Sequence, residues 1–187
     1  MSLLHDARRW WFFTFAVLAL GAWWTWVSRV PDPVAGAGRI PSPREGFPAP
    51  DFALETLGGD PATLSAYRGQ VVILNLWASW CGPCRAEMPA IQRVFDANRD
   101  RGLAVLAVNS TFQDSVEDAQ AFVSDLGLTF PILLDREGSV SRRYLLRALP
   151  STFFIDRQGV IRSVIIGGPM SEAVLQTKVE DLLNEAP

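Results

Sequence analysis

The chain has 187 residues, of which 49% are apolar and 20% are charged, and its formal net charge is −3. This length and composition indicate one domain with a substantial core, together with smaller appendages. Beyond residue 40 there are 18 acidic and 13 basic side chains. The sequence therefore argues against nucleic-acid binding, which requires a basic surface.

The first element in chain order is an uncharged apolar segment of 18 residues, Trp10–Val27. As a helix it would extend about 27 Å, close to the thickness of a bilayer's hydrocarbon core, and its terminal tryptophans are typical of membrane interfaces. Two arginines before the segment and one soon after it favour a cytoplasmic N-terminus. We therefore expect a cytoplasmic segment over residues 1–9 and a membrane anchor over residues 10–28.

Two other interpretations of this segment stay open. A cleaved signal peptide would be cut near Val34–Gly38, although the apolar run is longer than usual for a signal peptide and ends in bulky residues. A buried core helix is the second alternative, but such helices are seldom apolar on all sides with tryptophans at both ends.

Proline-rich chain follows the apolar segment. Pro31–Pro50 contains six prolines, and such chain forms an extended, semi-rigid spacer. We predict a linker over residues 29–46 that tethers a domain, residues 47–187, beside the bilayer.

From Ala49 onward, strand patterns and helix patterns alternate. Val71–Trp77 and Leu103–Val108 are apolar runs typical of strands buried on both faces. A helix with the periodic residues Met88, Ile91, Val94 and Phe95 is predicted after the first strand and ends at Gly102. After the second strand, Asp114 and Glu117 resemble a capping box for a helix that ends at Gly127.

The last third of the chain predicts a short strand, a hairpin and a helix. Pro131–Leu134 is strand-like, and Thr152–Asp156 with Val160–Ile166 reads as an antiparallel hairpin. Ser171 is expected to cap a final helix whose inward residues are Val174, Leu175, Val179, Leu182 and Leu183. The element order predicts an α/β sandwich with a mixed central sheet.

The two cysteines of the chain, Cys81 and Cys84, are separated by two residues. A zinc site would need two more sulfur or imidazole ligands, but the only histidine is His5, in the predicted cytoplasmic segment. A copper-chaperone site fails for the same lack of histidine. A structural disulfide would close only a four-residue loop and would remove little chain entropy.

A redox-active pair explains more of the pattern. Cys81 is predicted to follow a buried strand at the first turn of a helix, where the helix dipole and unpaired N–H groups favour a thiolate. Gly82 and Pro83 suit a tight first turn. We expect Cys81 to attack a substrate disulfide and Cys84, one turn further, to release the mixed disulfide.

The motif WASWCGPC after a strand, followed by Pro89, resembles thioredoxin, and the resemblance covers roughly residues 47–187. Within that superfamily the chain is similar to the membrane-anchored TlpA/ResA group of thiol-disulfide oxidoreductases, with an AhpC-TSA/redoxin-like domain. The anchor, the approach APDFALETLGGDPATLSAYRGQVVILNLWASWC, an extra segment near Asn109–Pro131 and the continuation CGPCRAEMP carry this similarity. It implies a three-layer thioredoxin-like sandwich.

The resemblance also implies roles for residues around the cysteines. Pro150 is expected to follow a cis peptide bond and to face the cysteines, and Leu149 to offer backbone groups to the substrate. Thr152 is expected to be an ordinary strand residue. Of the two nearby tryptophans, Trp80 is expected to cover part of the face around Cys81, and Trp77 to belong to the core.

A second set of expectations concerns proton transfer. Asn75 stands where thioredoxin has a buried aspartate, and an asparagine cannot accept the proton of Cys84. Glu87 lies one turn beyond Cys84 on the same helix, so its carboxylate is the candidate for this role. The alternative is that Glu87 is a solvated helix residue.

The Gly-Pro pair between the cysteines resembles that of reducing thioredoxins. The resemblance implies an extracytoplasmic reductase that needs no cofactor or metal beyond the Cys81–Cys84 disulfide. It also implies a transmembrane electron donor of the CcdA/DsbD kind and substrates such as apocytochrome c or copper-site proteins. A peroxiredoxin-like peroxidase is an alternative, although Ala78 replaces its usual Thr or Ser. A tethered, non-enzymatic binding module is another.

Overall fold

The structure, a computed structural model, describes residues 10, 11, 15–21, 23, 24 and 39–185. The chain divides into two units after Val34. The described residues of the first unit are helical. Within the described part of the chain, no helix combines the length and apolar character needed to cross a membrane. The other residues of the expected anchor, the expected cytoplasmic segment, residues 25–38 and the signal-peptide alternative at Val34–Gly38 lie outside the described residues.

The second unit contains seven strands and four α-helices within residues 39–185. The strands are β1 Ala53–Glu55, β2 Pro61–Thr63, β3 Val71–Trp77, β4 Leu103–Asn109, β5 Ile132–Leu134, β6 Ser151–Ile155 and β7 Ile161–Ile166. The helices are α1 Gly82–Asn98, α2 Val116–Leu126, α3 Ser139–Arg143 and α4 Glu172–Asn184.

Five strands form the central sheet, in the order β5-β4-β3-β6-β7. Strand β3 pairs parallel with β4 and antiparallel with β6, so the sheet is mixed, as predicted. Every residue of β3 and β4 is buried, as expected of strands covered on both faces. The thioredoxin-like α/β fold expected from the sequence is therefore confirmed.

Side chains alternate between the two faces of β3, and this alternation separates two cores. Val71, Ile73 and Trp77 pack with residues of α1, α2 and α4. Val72, Leu74 and Leu76 pack with the β1–β2 hairpin, with α3 and with the 3-10 turn Leu64–Tyr67. The result is a sheet with a helical layer on one face and a smaller layer on the other.

Several predicted details of the elements are corrected by the structure. Ser115, not Asp114, caps α2, because its side chain accepts a hydrogen bond from the Asp118 N–H. Val174, expected to point inward, is 41% exposed. Helix α1 ends at Asn98, and a 3-10 turn leads from it to Gly102. The β1–β2 hairpin and α3 were not predicted.

The last residues of the predicted linker are hydrogen-bonded to β7. The Gly46 N–H donates to the Ile161 carbonyl at 2.8 Å, and the Val164 N–H donates to Glu45 Oε1 at 2.9 Å. The Ile161 N–H in turn donates to the Phe47 carbonyl at 3.0 Å. The chain from Glu45 onward is therefore attached to the sheet.

The register of the sheet determines where the cysteines lie. Leu76 near the end of β3 pairs with Ser151 at the start of β6. Because β3 and β6 are antiparallel, the residues that precede Ser151 lie beyond the carboxyl end of β3. Cys81 and helix α1 follow that same end, so the fold brings the cysteines and Pro150 to one edge of the sheet.

Candidate active site

Cys81 and Cys84 form a disulfide at the start of α1, with their Cα atoms 5.2 Å apart. Cys81 is the N-cap residue, and the Cys84 N–H donates a hydrogen bond to its Sγ at 3.2 Å. Cys81 is 4% exposed and Cys84 is fully buried. Because a helix N-terminus and a donated N–H both favour a negative sulfur, the geometry stabilises a Cys81 thiolate after reduction.

Glu87 lies in the interior and makes two hydrogen bonds there. Its side chain is fully buried, Oε1 accepts from Asn75 Nδ2 at 2.8 Å, and Oε2 accepts from the Met170 N–H at 3.1 Å. Burial raises the pKa of Glu87, and the two hydrogen bonds lower the pKa by less than burial raises it. The alternative in which Glu87 is a solvated helix residue is wrong, and its expected role in proton transfer remains a prediction.

Asn75 connects Glu87 to the neighbouring strand. Its Nδ2 also donates to Thr152 Oγ1 at 2.8 Å, so Thr152 is not merely the ordinary strand residue that was expected. Its Oδ1 is buried and has no hydrogen-bond partner among the described residues. We call Asn75, Glu87, Thr152 and Met170 the buried polar cluster. It is assembled from β3, α1, β6 and the turn before α4.

Gly168 was missed by the sequence analysis, although it contacts two of the predicted site residues. A Cβ atom at Gly168 would lie 2.8 Å from Glu87 Oε2 and 2.8 Å from Pro150 Cγ. A Cβ carbon does not lie so close to a neighbouring atom unless one of them shifts, so only glycine fits here without displacement. The signal in the sequence was the stretch GGPM between the last strand and the last helix, but its partners are distant in the chain.

Pro150 meets one of its two expectations, and its expected position facing the cysteines remains a prediction. The Leu149–Pro150 peptide bond is cis, as predicted, and Pro150 is buried. The Gly167 N–H donates to the Pro150 carbonyl at 2.8 Å. Leu149 is half-buried and borders the same cleft as Cys81, and its contact with a substrate remains a prediction.

A cleft of about 740 Å³ opens beside Cys81, and we call it the redox cleft. Its lining includes Trp80, Cys81, Phe112, Leu145 and Leu149. Trp80 is 61% exposed and lies beside Cys81, on the side where it was expected. The neighbouring Trp77 is fully buried, as predicted, and its ring packs against the ring of Phe122 with a centroid distance of 4.5 Å.

Asp114 holds the loop that precedes the cysteines. It accepts hydrogen bonds from the Ser79 N–H at 2.7 Å, from Ser79 Oγ at 2.6 Å, from Asn109 Nδ2 at 2.7 Å and from the Ser115 N–H at 2.9 Å. Partial burial raises the pKa of Asp114, but these hydrogen bonds together outweigh it and hold the pKa below its ordinary value. In the same region Trp80 Nε1 donates to the Gln113 carbonyl at 3.0 Å. From the sequence, Asp114 was expected to cap α2 instead.

Known protein families and sequences match most of the second unit of the chain. Residues 46–164 match the model of the AhpC/TSA family. The thioredoxin-like protein YneN of Bacillus subtilis is 40% identical over 138 residues, which cover 73% of this chain and 79% of YneN. The thiol-disulfide oxidoreductase ResA of Geobacillus kaustophilus is 39% identical over 129 residues, which cover 69% of this chain and 73% of that protein.

Solved structures of similar fold include StoA from Bacillus subtilis. It is 31% identical, superposes with a TM-score of 0.60, and the match covers 71% of this chain and 97% of StoA. A thiol:disulfide interchange protein of the thioredoxin family from Chlorobium tepidum is 25% identical with a TM-score of 0.68. That match covers 78% of this chain and 99% of the other.

Proposed function

Since the chain belongs to the AhpC/TSA family and is a thiol-disulfide oxidoreductase, we propose that it reduces protein disulfides outside the cytoplasm while tethered to a membrane. The observation that carries this proposal is the asymmetry of the cysteine pair. Cys81 borders the open redox cleft, whereas Cys84 lies fully buried behind it. This arrangement suits a first, accessible nucleophile and a second, resolving thiol.

The proposed reaction begins with both cysteines reduced. The Cys81 thiolate attacks one sulfur of the substrate disulfide, forming a mixed disulfide and expelling the other substrate sulfur as a thiolate. Cys84 then loses its proton and attacks Cys81 Sγ, which expels the second substrate sulfur and forms the Cys81–Cys84 disulfide. Two electrons pass from the protein to the substrate, and a dithiol donor must return them.

Two opposing electrostatic effects act on the cysteine pair, and the effect of Glu87 is the one that favours a reducing role. The N-terminus of α1 and the Cys84 N–H favour the Cys81 thiolate. Glu87, one turn beyond Cys84 on the same helix, would disfavour a second negative charge at Cys84 when its carboxylate is ionised. Because this destabilises the thiolate form, it favours the disulfide and makes the dithiol a better electron donor. The Gly82–Pro83 pair is consistent with this direction.

Glu87 is also the group we propose to handle the proton of Cys84. Its raised pKa brings the carboxyl group closer to neutral pH, where it can exchange a proton with a thiol. Asn75 cannot do so, and its contribution is to orient Glu87 through the 2.8 Å hydrogen bond.

Location and partners are proposed from sequence features and relatives. The apolar segment Trp10–Val27 and the prolines that follow it support a tether to the membrane, with the oxidoreductase unit outside the cytoplasm. A reductase in an oxidising compartment needs a transmembrane donor, which we propose to be of the CcdA/DsbD kind. Substrates such as apocytochrome c or copper-site proteins are proposed from the similarity to the TlpA/ResA group.

The reduction potential of the Cys81–Cys84 pair in the full-length protein tests the proposed direction. Equilibration with glutathione or dithiothreitol buffers, read by thiol trapping, should give a value below about −200 mV, towards the potential of thioredoxin. A value near about −120 mV, as in a strongly oxidising protein, would contradict a reductase.

Turnover distinguishes this activity from a peroxidase. The reduced protein should reduce insulin disulfides, the Cys81→Ser variant should not, and hydrogen peroxide should be consumed no faster than by a free thiol. Rapid peroxide consumption that depends on Cys81 would favour the peroxidase. Failure to act on either compound would favour a binding module.

A further inference from the structure

The redox cleft is bordered by apolar side chains that are unusually exposed. Trp80, Phe112 and Leu145 are 61%, 48% and 53% exposed, and all three line the cleft. Leu145 has a φ of 51°, a left-handed conformation that costs a leucine roughly 1 kcal/mol or more. The turn after α3 therefore holds an apolar side chain at the rim of the cleft at a cost in backbone energy.

The charge of the cleft differs from that of the rest of the domain. Arg142 and Arg147 line it, and no carboxylate does so among the described residues. By contrast, the chain beyond residue 40 has five more acidic than basic side chains, 18 against 13. A positive cleft in an otherwise acidic domain attracts a negatively charged partner.

These two guanidinium groups are available to a ligand. Arg142 Nη1 donates to the Glu137 backbone carbonyl at 2.8 Å, which leaves its charge uncompensated, and neither arginine forms an ion pair with a described residue. The carboxylate of the buried Asp135 accepts hydrogen bonds from the N–H groups of Val140 and Ser141. Asp114 does not line the cleft, and its carboxylate accepts hydrogen bonds from Ser79, Asn109 and Ser115.

We propose that Arg142 and Arg147 make the redox cleft selective for disulfide-bonded polypeptide segments that carry an acidic side chain close to the cystine. The apolar part of such a segment would contact Trp80, Phe112 and Leu145, and its carboxylate would pair with the two arginines. This inference rests on the proposed reductase activity and names the chemical class of its substrate. The electron transfer is the two-electron exchange described above, from the Cys81–Cys84 dithiol to the substrate disulfide.

Three matched peptides test the selectivity. All three contain the same intramolecular disulfide and the same apolar residue. They differ only at one position beside the cystine, which is Glu in the first peptide, Gln in the second and Lys in the third. The full-length protein is reduced beforehand, so that a single turnover needs no electron donor. The rate constant of its oxidation by each peptide is then measured by stopped-flow Trp fluorescence at low salt and again in about 1 M NaCl, where charge interactions beyond about 3 Å are screened.

The Glu peptide should react about fivefold faster than the Lys peptide at low salt, as expected for two exposed ion pairs. In about 1 M NaCl this ratio should fall towards one. An R142Q/R147Q double variant should lose the ratio. Thiol titration of the reduced variant should still find two thiols per protein, which shows that its cysteine pair is intact.

Arg99→Gln is the matched control for the loss of a positive charge. Arg99 is exposed at the far end of α1, about 25 Å of helix away from Cys81, so the ratio should persist in this variant. Equal rates for the three peptides with the wild-type protein, or a ratio that survives in the double variant, would overturn the selectivity alone. No oxidation by any peptide would overturn the proposed reductase activity itself.

Discussion

The two sides of the Cys81–Cys84 pair differ in almost every physical respect. Behind Cys84, the buried polar cluster has an ionisable carboxyl group, Glu87, that is fully buried and makes two hydrogen bonds. In front of Cys81, the redox cleft combines exposed apolar side chains with two arginines that form no ion pair among the described residues. The closed side, behind Cys84, therefore carries an acidic group, and the open side, in front of Cys81, carries basic groups.

This difference separates two parts of the proposed activity. The buried polar cluster joins four elements of the fold, so a change within it alters the stability of the protein and the properties of the cysteines together. The redox cleft is built from the end of α3 and from loops, where exposed side chains contribute little to stability. We therefore expect substitutions in the cleft to alter the choice of substrate, and substitutions in the cluster to alter the redox chemistry.

The largest effect is expected from removing the nucleophile Cys81, which lies between the two sides. Cys81→Ser should lower the rate of insulin reduction by about 10³-fold or more, since the thiol that remains, Cys84, is fully buried and inaccessible to a protein disulfide. Cys84→Ser should retain the first attack and accumulate the mixed disulfide, because the resolving thiol is missing.

Non-reducing gel electrophoresis after mixing with a disulfide substrate checks this pair of variants. A covalent adduct is expected with Cys84→Ser and not with Cys81→Ser. An adduct that forms only with Cys81→Ser would reverse the assigned order of attack and the roles of the two sides.

The next largest effect is expected from filling the space between Glu87 and Pro150. Gly168→Ala places a methyl group 2.8 Å from Glu87 Oε2 and 2.8 Å from Pro150 Cγ, so the turn must move. We expect the free energy of unfolding to fall by about 2 kcal/mol, as for other overpacked interiors. Gly58→Ala is the control, because its new Cβ would meet only Thr56 Oγ1, at 3.7 Å.

Denaturant unfolding of the two variants measures this effect. A Gly168→Ala protein as stable as Gly58→Ala would mean that the turn before α4 yields easily and does not hold Glu87 against Pro150.

The buried strands and the cysteine motif could be predicted because their signals are local. Val71–Trp77 is an apolar run interrupted only by Asn75, and all seven of its residues are buried in β3. The spacing of Cys81 and Cys84 and the turn residues between them lie within one short stretch. The cis peptide bond before Pro150 was expected from resemblance alone, since sequence by itself favours the trans form.

The contacts of the buried polar cluster could not be predicted, because its members are far apart in the sequence. Asn75 and Thr152 are separated by 77 positions, and Glu87 and Met170 by 83. Asp114 shows a different limit. Its spacing to Glu117 fits a capping box, but Ser115 caps the helix and Asp114 binds Ser79, 35 positions earlier. Local patterns do not report such competing long-range partners.

Glu87→Gln tests the charge of the buried polar cluster. The pKa of Glu87 is raised above its ordinary value of 4.5, so folding favours the protonated carboxyl group. The free energy of unfolding of the wild-type protein should therefore fall as pH rises from about 4.5 through the raised pKa. It should fall by about 1.4 kcal/mol for each pH unit of the shift. In Glu87→Gln this decline should be absent, because glutamine does not ionise.

Denaturant unfolding at a series of pH values, with the disulfide intact, measures the decline. Glu117→Gln, which removes an exposed carboxylate from α2, controls for the loss of one negative charge. Parallel curves for the wild type and Glu87→Gln would sink the idea that burial raises the pKa of Glu87.

The smallest expected effect lies next to the open side, at Asp114, which binds Ser79 in the loop before Trp80. Asp114→Asn loses charge-assisted hydrogen bonds to Ser79 and should lower the free energy of unfolding by about 1 kcal/mol at neutral pH. Because the pKa of Asp114 is lowered, its contribution is present above pH of about 4 and is lost as pH falls through the lowered pKa, so the two proteins should converge in acid.

Asp125→Asn is the matched control, since Asp125 forms only an exposed ion pair with Arg85 at 3.5 Å, worth less than about 1 kcal/mol. If Asp114→Asn also slows insulin reduction while Asp125→Asn does not, then the loop carrying Trp80 must be held in place for substrate to reach Cys81. If Asp114→Asn lowers stability alone, the open side tolerates movement of this loop, and recognition depends on the arginines and on Leu145 across the cleft.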